Sequence, residues 1–147
     1  MSVLKKQGAV KEGPINGWVL VDTCAWIEFL RDNESALGDR VSALIEQERA
    51  VMCGVVVTEL RQGLKLSAGK RNAAELSKLE LLFQLVPCLP TTDRDWHSTG
   101  ECLQQLRSQG ITVPLTDALI AAIAKRCQVQ VLTYDAHFKA LGFEVFS

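Results

Sequence analysis

Asp22, Glu59, Asp117 and Asp135 stand where an α/β chain leaves or re-enters its sheet. Asp22 closes the apolar run Trp18-Val19-Leu20-Val21, and Glu59 follows Val55-Val56-Val57-Thr58. Asp117 opens the apolar helical segment 116–124, and Asp135 closes Val129-Gln130-Val131-Leu132-Thr133-Tyr134. A parallel sheet that gathers these positions makes an oxygen-lined pocket at the carboxyl ends of its strands, where open α/β sheets place their sites. Oxygen ligands suit a hard divalent cation and, with it, phosphodiester chemistry.

Clustering carboxylates is costly. Two like charges about 5 Å apart repel by roughly 3 kcal/mol at an effective dielectric near 20. Protonating some of the group relieves this, and so does binding Mg²⁺ or Mn²⁺. A carboxylate not committed to the cation is free to act as general base. Thr23 and Thr133 each lie close in sequence to one of the acids, so their hydroxyls are candidates for orienting a carboxylate or a water. Each acid also has a structural reading: Asp22 as a helix N-cap, Glu59 as a solvated helix residue, Asp117 as a complement to a helix N-terminus, Asp135 as a turn residue. The shared sheet edge is what the four structural readings do not explain together. Asp32, Asp39, Asp93 and Asp95 read as loop or cap residues, and Glu28 as part of a solvated helix face.

Positioning these groups falls to a β-α-α-β-α-α-β-α-α-β-α-β alternation. Trp18–Val21, Ala50–Gly54, Leu85–Leu89, Val129–Thr133 and Phe143–Phe146 read as strands. Residues 24–31, Ser35–Arg49, Val55–Leu66, Lys70–Phe83, Thr92–Gln109, Thr116–Arg126 and Ala136–Leu141 read as helices or helical turns. Leu37, Val41, Leu44 and Ile45 should share one buried face, as should Val56, Leu60 and Leu64, and Leu76, Leu79 and Phe83. The pattern predicts an α/β fold with a central parallel sheet of four to five strands and helices on both faces.

At 147 residues and 48% hydrophobic the chain is sized for one domain with a real core, and at 6% aromatic that core is mostly aliphatic. A net charge of −1 excludes a polybasic nucleic-acid coat, so an RNA-binding surface has to be a local patch. The five cysteines, Cys24, Cys53, Cys88, Cys102 and Cys127, form no C-x-x-C pair and are odd in number. They read as buried free thiols rather than zinc ligands or a disulfide framework, which suits a reducing compartment such as a cytoplasm. No apolar run reaches membrane-spanning length. Residues 1–17 carry lysines but no signal-peptide core and read as a flexible leader before a domain over 18–147.

Four segments carry a family resemblance. Val21-Asp22-Thr23-Cys24-Ala25-Trp26-Ile27, Val57-Thr58-Glu59-Leu60-Arg61-Gln62-Gly63, Leu115-Thr116-Asp117-Ala118-Leu119-Ile120-Ala121-Ala122 and Leu132-Thr133-Tyr134-Asp135-Ala136-His137-Phe138 resemble, in order, the acidic motifs of PIN-domain ribonucleases. The short single-domain form is similar to VapC-type toxins of bacterial toxin–antitoxin pairs. The resemblance implies a PIN-like sandwich around the sheet, Mg²⁺ or Mn²⁺ dependence and endonucleolytic RNA cleavage. It also implies a homodimer and inhibition by a VapB-type antitoxin. It assigns Asp22, Glu59, Asp117 and Asp135 as the acidic quartet, with Thr23 and Thr133 as supporting hydroxyls. The leader departs from the pattern, because such toxins start almost at the first strand.

Arg61, Arg31, Lys65, Arg94 and Lys139 are candidates for phosphate contact and, equally, ordinary solvated charges. Arg61, two residues past Glu59 and turned from its face, belongs at a groove rim rather than at the cation. His97 and His137 read as surface or capping histidines. The competing functional class is a non-catalytic PIN-like module that binds RNA or protein, which loss of an acid would favour; all four are present. A dehalogenase-type phosphotransfer site needs a second Asp two residues after the first, where this chain has Cys24.

Overall fold

The computed structural model describes residues 17–31, 34–63 and 73–147. Its elements are β1 (Val19–Val21), α1 (Thr23–Leu30), α2 (Ala36–Glu46), β2 (Ala50–Cys53), α3 (Gly54–Gln62) and α4 (Ala73–Leu85), then β3 (Cys88–Leu89), α5 (Asp93–Ser108), α6 (Leu115–Cys127), β4 (Gln130–Leu132) and α7 (His137–Ala140). The strands form one parallel sheet in the order β3-β2-β1-β4. From β1 the chain steps one way through β2 to β3, then crosses back to β4 on the other side of β1. Right-handed crossovers therefore place α1–α4 on one face and α5 and α6 on the other. The direction reverses between β1 and β4, which pair from Val19↔Gln130 to Val21↔Leu132. Such a switch point opens a crevice at the carboxyl ends of the two strands.

Both faces of the sheet are covered, so its strands read as continuous apolar runs rather than alternating ones. Leu20, Val21, Val51, Met52 and Cys53 are buried, and Trp26, Ile120, Ile123 and Phe138 pack among them. Gly38 permits the close crossing of α1 and α2, because a Cβ there would meet the Glu28 carbonyl oxygen at 3.3 Å. Three cysteines, Cys24, Cys53 and Cys127, are buried free thiols, whereas Cys88 is exposed and Cys102 half-buried. No helix among the described residues is long and apolar enough to cross a membrane.

Two expectations are corrected. Phe143–Phe146 is not a strand. The Phe143 N–H turns back to the Phe138 carbonyl at 2.9 Å, and only the Phe146 N–H reaches Thr133, at 2.7 Å. A cleft of about 580 Å³ is lined by residues of both this segment and β4, among them Val131, Leu132, Phe143 and Phe146. In α4 the buried residues are Leu79 and Leu82, while Leu76 is 43% exposed and Phe83 is partly buried. This helix has apolar residues at several phases, and packing selects Leu79, Leu82 and the following Val86. Leu37, Val41 and Leu44 are buried as expected, with Ile45 partly so, and so are Val56 and Leu60. Lys65, residues 64–66 and 70–72 of the expected helices, and all of the expected leader but Gly17 lie outside the described residues.

Asp95 does more than cap. It completes a capping box with Thr92 at the start of α5 and receives both Arg126 Nε at 2.8 Å and Nη2 at 3.0 Å. Burial alone would raise the Asp95 carboxyl, but the hydrogen bonds from Arg126 and the Thr92 N–H hold it below the usual range. The Asp95 side chain is 1% exposed, so removing its cation strands a buried charge. Arg126→Ala should cost about 3 kcal/mol, and Arg126→Lys should recover only part of it because an ammonium lacks the two-pronged geometry. Urea denaturation of the two variants checks both.

Candidate active site

The carboxyl edge of the sheet gathers the predicted acids because of chain direction. A helix that follows a parallel strand starts at that edge, and a helix that leads into one also begins there, since it runs antiparallel to its strand. Asp22 sits at the end of β1 and is the N-cap of α1. Glu59 lies in α3, after β2, and Asp117 in the first turn of α6, ahead of β4. Asp135 follows β4.

Asp22 is 5% exposed. Its Oδ1 accepts the Thr23 N–H at 2.8 Å, and its Oδ2 accepts the Thr133 hydroxyl at 2.8 Å and the Cys24 thiol at 3.6 Å. Burial raises its pKa against these hydrogen bonds, and the nearby Asp135 charge raises it further. The Thr23 hydroxyl donates to Glu59 Oε1 at 2.9 Å, and the Asp135 N–H donates to Thr133 Oγ1 at 3.0 Å. Both threonines thus hold acids, Thr23 across to α3 and Thr133 across to β1. Cys24 packs between them, its thiol pushed up to about 11 by burial and the Asp22 charge, so it serves as a weak donor and not as a nucleophile.

Asp117 is pushed up to about 6, first by burial and then by the charges of Asp135 and Asp22, with His137 opposing and Glu59 adding the least. Asp117 therefore feels the charges of all three other predicted acids. Asp117 Oδ2 is buried and accepts no hydrogen bond, although His137 Nδ1 lies 3.2 Å away. That nitrogen stands nearer Asp135 Oδ1, at 2.9 Å, whose oxygen also receives the His137 N–H at 3.0 Å. One ligand atom from each of Asp117, Asp135 and His137 falls within 4.8 Å of the others. Oxygen-rich donors with mutual repulsion and an orphaned buried carboxylate oxygen fit a divalent cation. Asp22 and Glu59 border this cluster and are held by Thr133 and Thr23.

His137 was read from the sequence as a surface or capping residue. It is 47% exposed, yet its ring faces the acids. The Asp135-Ala136-His137 spacing was the available signal, since a side chain that caps its own turn two residues on brings the two together. Arg61 is turned toward α4, where it meets Glu80 at 2.6 Å and lies 4.5 Å over the Phe83 ring.

The family model of the PIN domain matches residues 19–144, and the chain belongs to the PIN-domain family. It resembles the VapC members of that family. The ribonuclease VapC11 of Mycobacterium tuberculosis (strain ATCC 25618 / H37Rv) is 29% identical over 128 residues, 84% of this chain and 91% of that protein. The crystal structure of VapBC-5 from Mycobacterium tuberculosis, a member of the VapBC family of toxin–antitoxin systems, superposes with a TM-score of 0.61 at 26% identity, covering 88% of this chain and 94% of that one. FitAcB from Neisseria gonorrhoeae gives a TM-score of 0.68 at 26% identity over 88% of this chain and 96% of that one.

Proposed function

We propose that this protein is a Mg²⁺- or Mn²⁺-dependent endoribonuclease and the toxin of a toxin–antitoxin pair. The observation that carries this is the convergence of Asp22, Glu59, Asp117 and Asp135 at the β1/β4 switch point, with a buried Asp117 oxygen left without a hydrogen bond. Asp22, Asp117 and Asp135 hold the cation, with Glu59 at its border. When bound, the cation supplies positive charge against the phosphoryl group and makes water a better nucleophile near neutral pH.

The chain's own groups do the rest. Thr133 and the Thr23 N–H fix both oxygens of Asp22, so it meets the cation with little loss of freedom. Thr23 turns Glu59 inward. Glu59, not committed to the cation and held by the Thr23 hydroxyl, is the carboxylate free to take a proton from an attacking water. Arg61, which pairs with Glu80 of α4, would contact the strand only by exchanging that carboxylate for a phosphate.

As partners we propose RNA as substrate, a second copy of the chain, and a VapB-type antitoxin that lays a basic segment along the acidic groove. Relatives described as a ribonuclease and as part of a toxin–antitoxin system support this reading. The test is cleavage of a labelled total-RNA pool by the full chain free of antitoxin, with Mg²⁺, with Mn²⁺ and with EDTA. Discrete fragments that need the cation and vanish in Asp117→Asn are expected. Folded, cation-loaded protein that leaves every RNA intact would overturn the nuclease and favour a binding module.

A further inference from the structure

His137 is the side chain at the acidic centre to which the ribonuclease reading gives no task. Its Nδ1 stands 2.9 Å from Asp135 Oδ1 and 3.2 Å from Asp117 Oδ2. Two cis ligands of an octahedral ion with bonds of about 2.1 Å are about 3.0 Å apart, and trans ligands about 4.2 Å. The three residues offer one ligand atom each within 4.8 Å of one another, so they fit around a single ion with little movement. The backbone beneath the ring is also held in place. The Asp135 N–H is tied to Thr133 Oγ1 at 3.0 Å and the His137 N–H to Asp135 Oδ1 at 3.0 Å, which fixes the turn that carries both ligands.

We propose that His137 is a nitrogen ligand of the cation, forming with Asp117 and Asp135 one face of its coordination sphere, and that it biases the site toward Mn²⁺ over Mg²⁺. Mg²⁺ is hard, holds its waters and gains little from an imidazole. First-row transition ions accept nitrogen readily, so one histidine among carboxylates separates the two ions in a way a pure oxygen site does not. The inference rests on the acidic centre being a cation site and is independent of what that site cleaves.

The experiment uses metal-stripped full-length chain, wild type and His137→Ala, titrated by calorimetry with Mn²⁺ alone and Mg²⁺ alone. Mn²⁺ affinity should fall about tenfold or more in the variant and Mg²⁺ affinity by less than about threefold. Pulsed paramagnetic resonance of the Mn²⁺-loaded wild type should show nitrogen coupling that changes with ¹⁵N-histidine labelling. That coupling should disappear in His137→Ala, which separates ligation from a merely structural effect; if that variant does not fold, labelled His97→Ala, in which His137 is the one remaining histidine, decides the matter. Bound Mn²⁺ without nitrogen coupling, or variant affinities equal to or tighter than wild type, would overturn the ligand role and leave the nuclease reading standing. A wild type that binds neither ion would overturn both.

Discussion

Asp117→Asn should abolish cation-dependent RNA cleavage, by on the order of 10³-fold, and at the same time make the cation-free protein more stable near neutral pH. The two effects have one cause. Asp117 is pushed up to about 6 by burial and by the charges of Asp135, Asp22 and Glu59, with His137 opposing. A carboxyl whose folded pKa lies above its unfolded value binds its proton more tightly in the folded state. Its stabilisation is therefore complete below pH of about 4 and is lost as pH rises through about 6. Allowing for partial screening, the loss is at most about 2 kcal/mol, or about 5 °C in Tm for a domain of this size. Cation-free wild type should thus melt lower at pH 7.5 than at pH 5 from this group, whereas Asp117→Asn removes that dependence. Adding Mn²⁺ should raise the wild-type Tm more at pH 7.5 than at pH 5, because the ion has to displace the Asp117 proton at the lower pH. Thermal melts of both proteins at both pH values, with and without Mn²⁺, measure the set. A wild-type Tm that does not fall between pH 5 and 7.5 would remove the argument from repulsion.

Asp22, Asp117 and Asp135 were legible in the sequence because each sits at a boundary that hydrophobic patterning marks, whereas Glu59 lies inside α3. Asp22 ends the run that becomes β1, Asp117 opens the apolar helix α6, and Asp135 follows the run that becomes β4. A parallel sheet then has few ways to arrange these boundaries other than along one edge. What patterning does not encode is the use of backbone groups across short turns. His137 reaches Asp117 only because the turn from Thr133 closes back on itself. The alternation in Phe143-Glu144-Val145-Phe146 resembles a strand, yet the Phe143 N–H is taken by the Phe138 carbonyl, so the ladder cannot start there. The inward face of α4 was misjudged because leucines on several phases satisfy more than one helical orientation, and the choice among them is made by the surface it meets. Asp95, set aside as a cap, acquired its second role from Arg126, thirty-one residues later in the chain. Local propensity identifies the cap and is silent on so distant a partner.

Asp22 carries structural and chemical duties at once, and two substitutions should separate them. Asp22→Ala removes the acceptor of the Thr23 N–H, the Thr133 hydroxyl and the Cys24 thiol. Loss of the α1 cap costs about 1 kcal/mol, and each buried donor left without an acceptor adds about 1–3 kcal/mol. Thr133 is fully buried and Thr23 6% exposed, so water does not readily replace what is lost. Relief of a carboxylate whose own burial is unfavourable offsets part of this, leaving an expected loss of about 2–3 kcal/mol. Asp22→Asn keeps an oxygen for the Thr23 N–H and turns its amide toward the Thr133 hydroxyl, which can rotate to accept instead of donate. Its stability should therefore stay within about 1 kcal/mol of wild type. Both variants should lose cleavage by on the order of 10³-fold, since neither supplies the negative oxygen the cation requires. Urea denaturation of the two, set beside their RNA cleavage rates, distinguishes a residue kept for its charge from one kept for its cap. An Asp22→Asn protein that is folded and still cleaves would show that the cap, and not the charge, is what the site needs from this position.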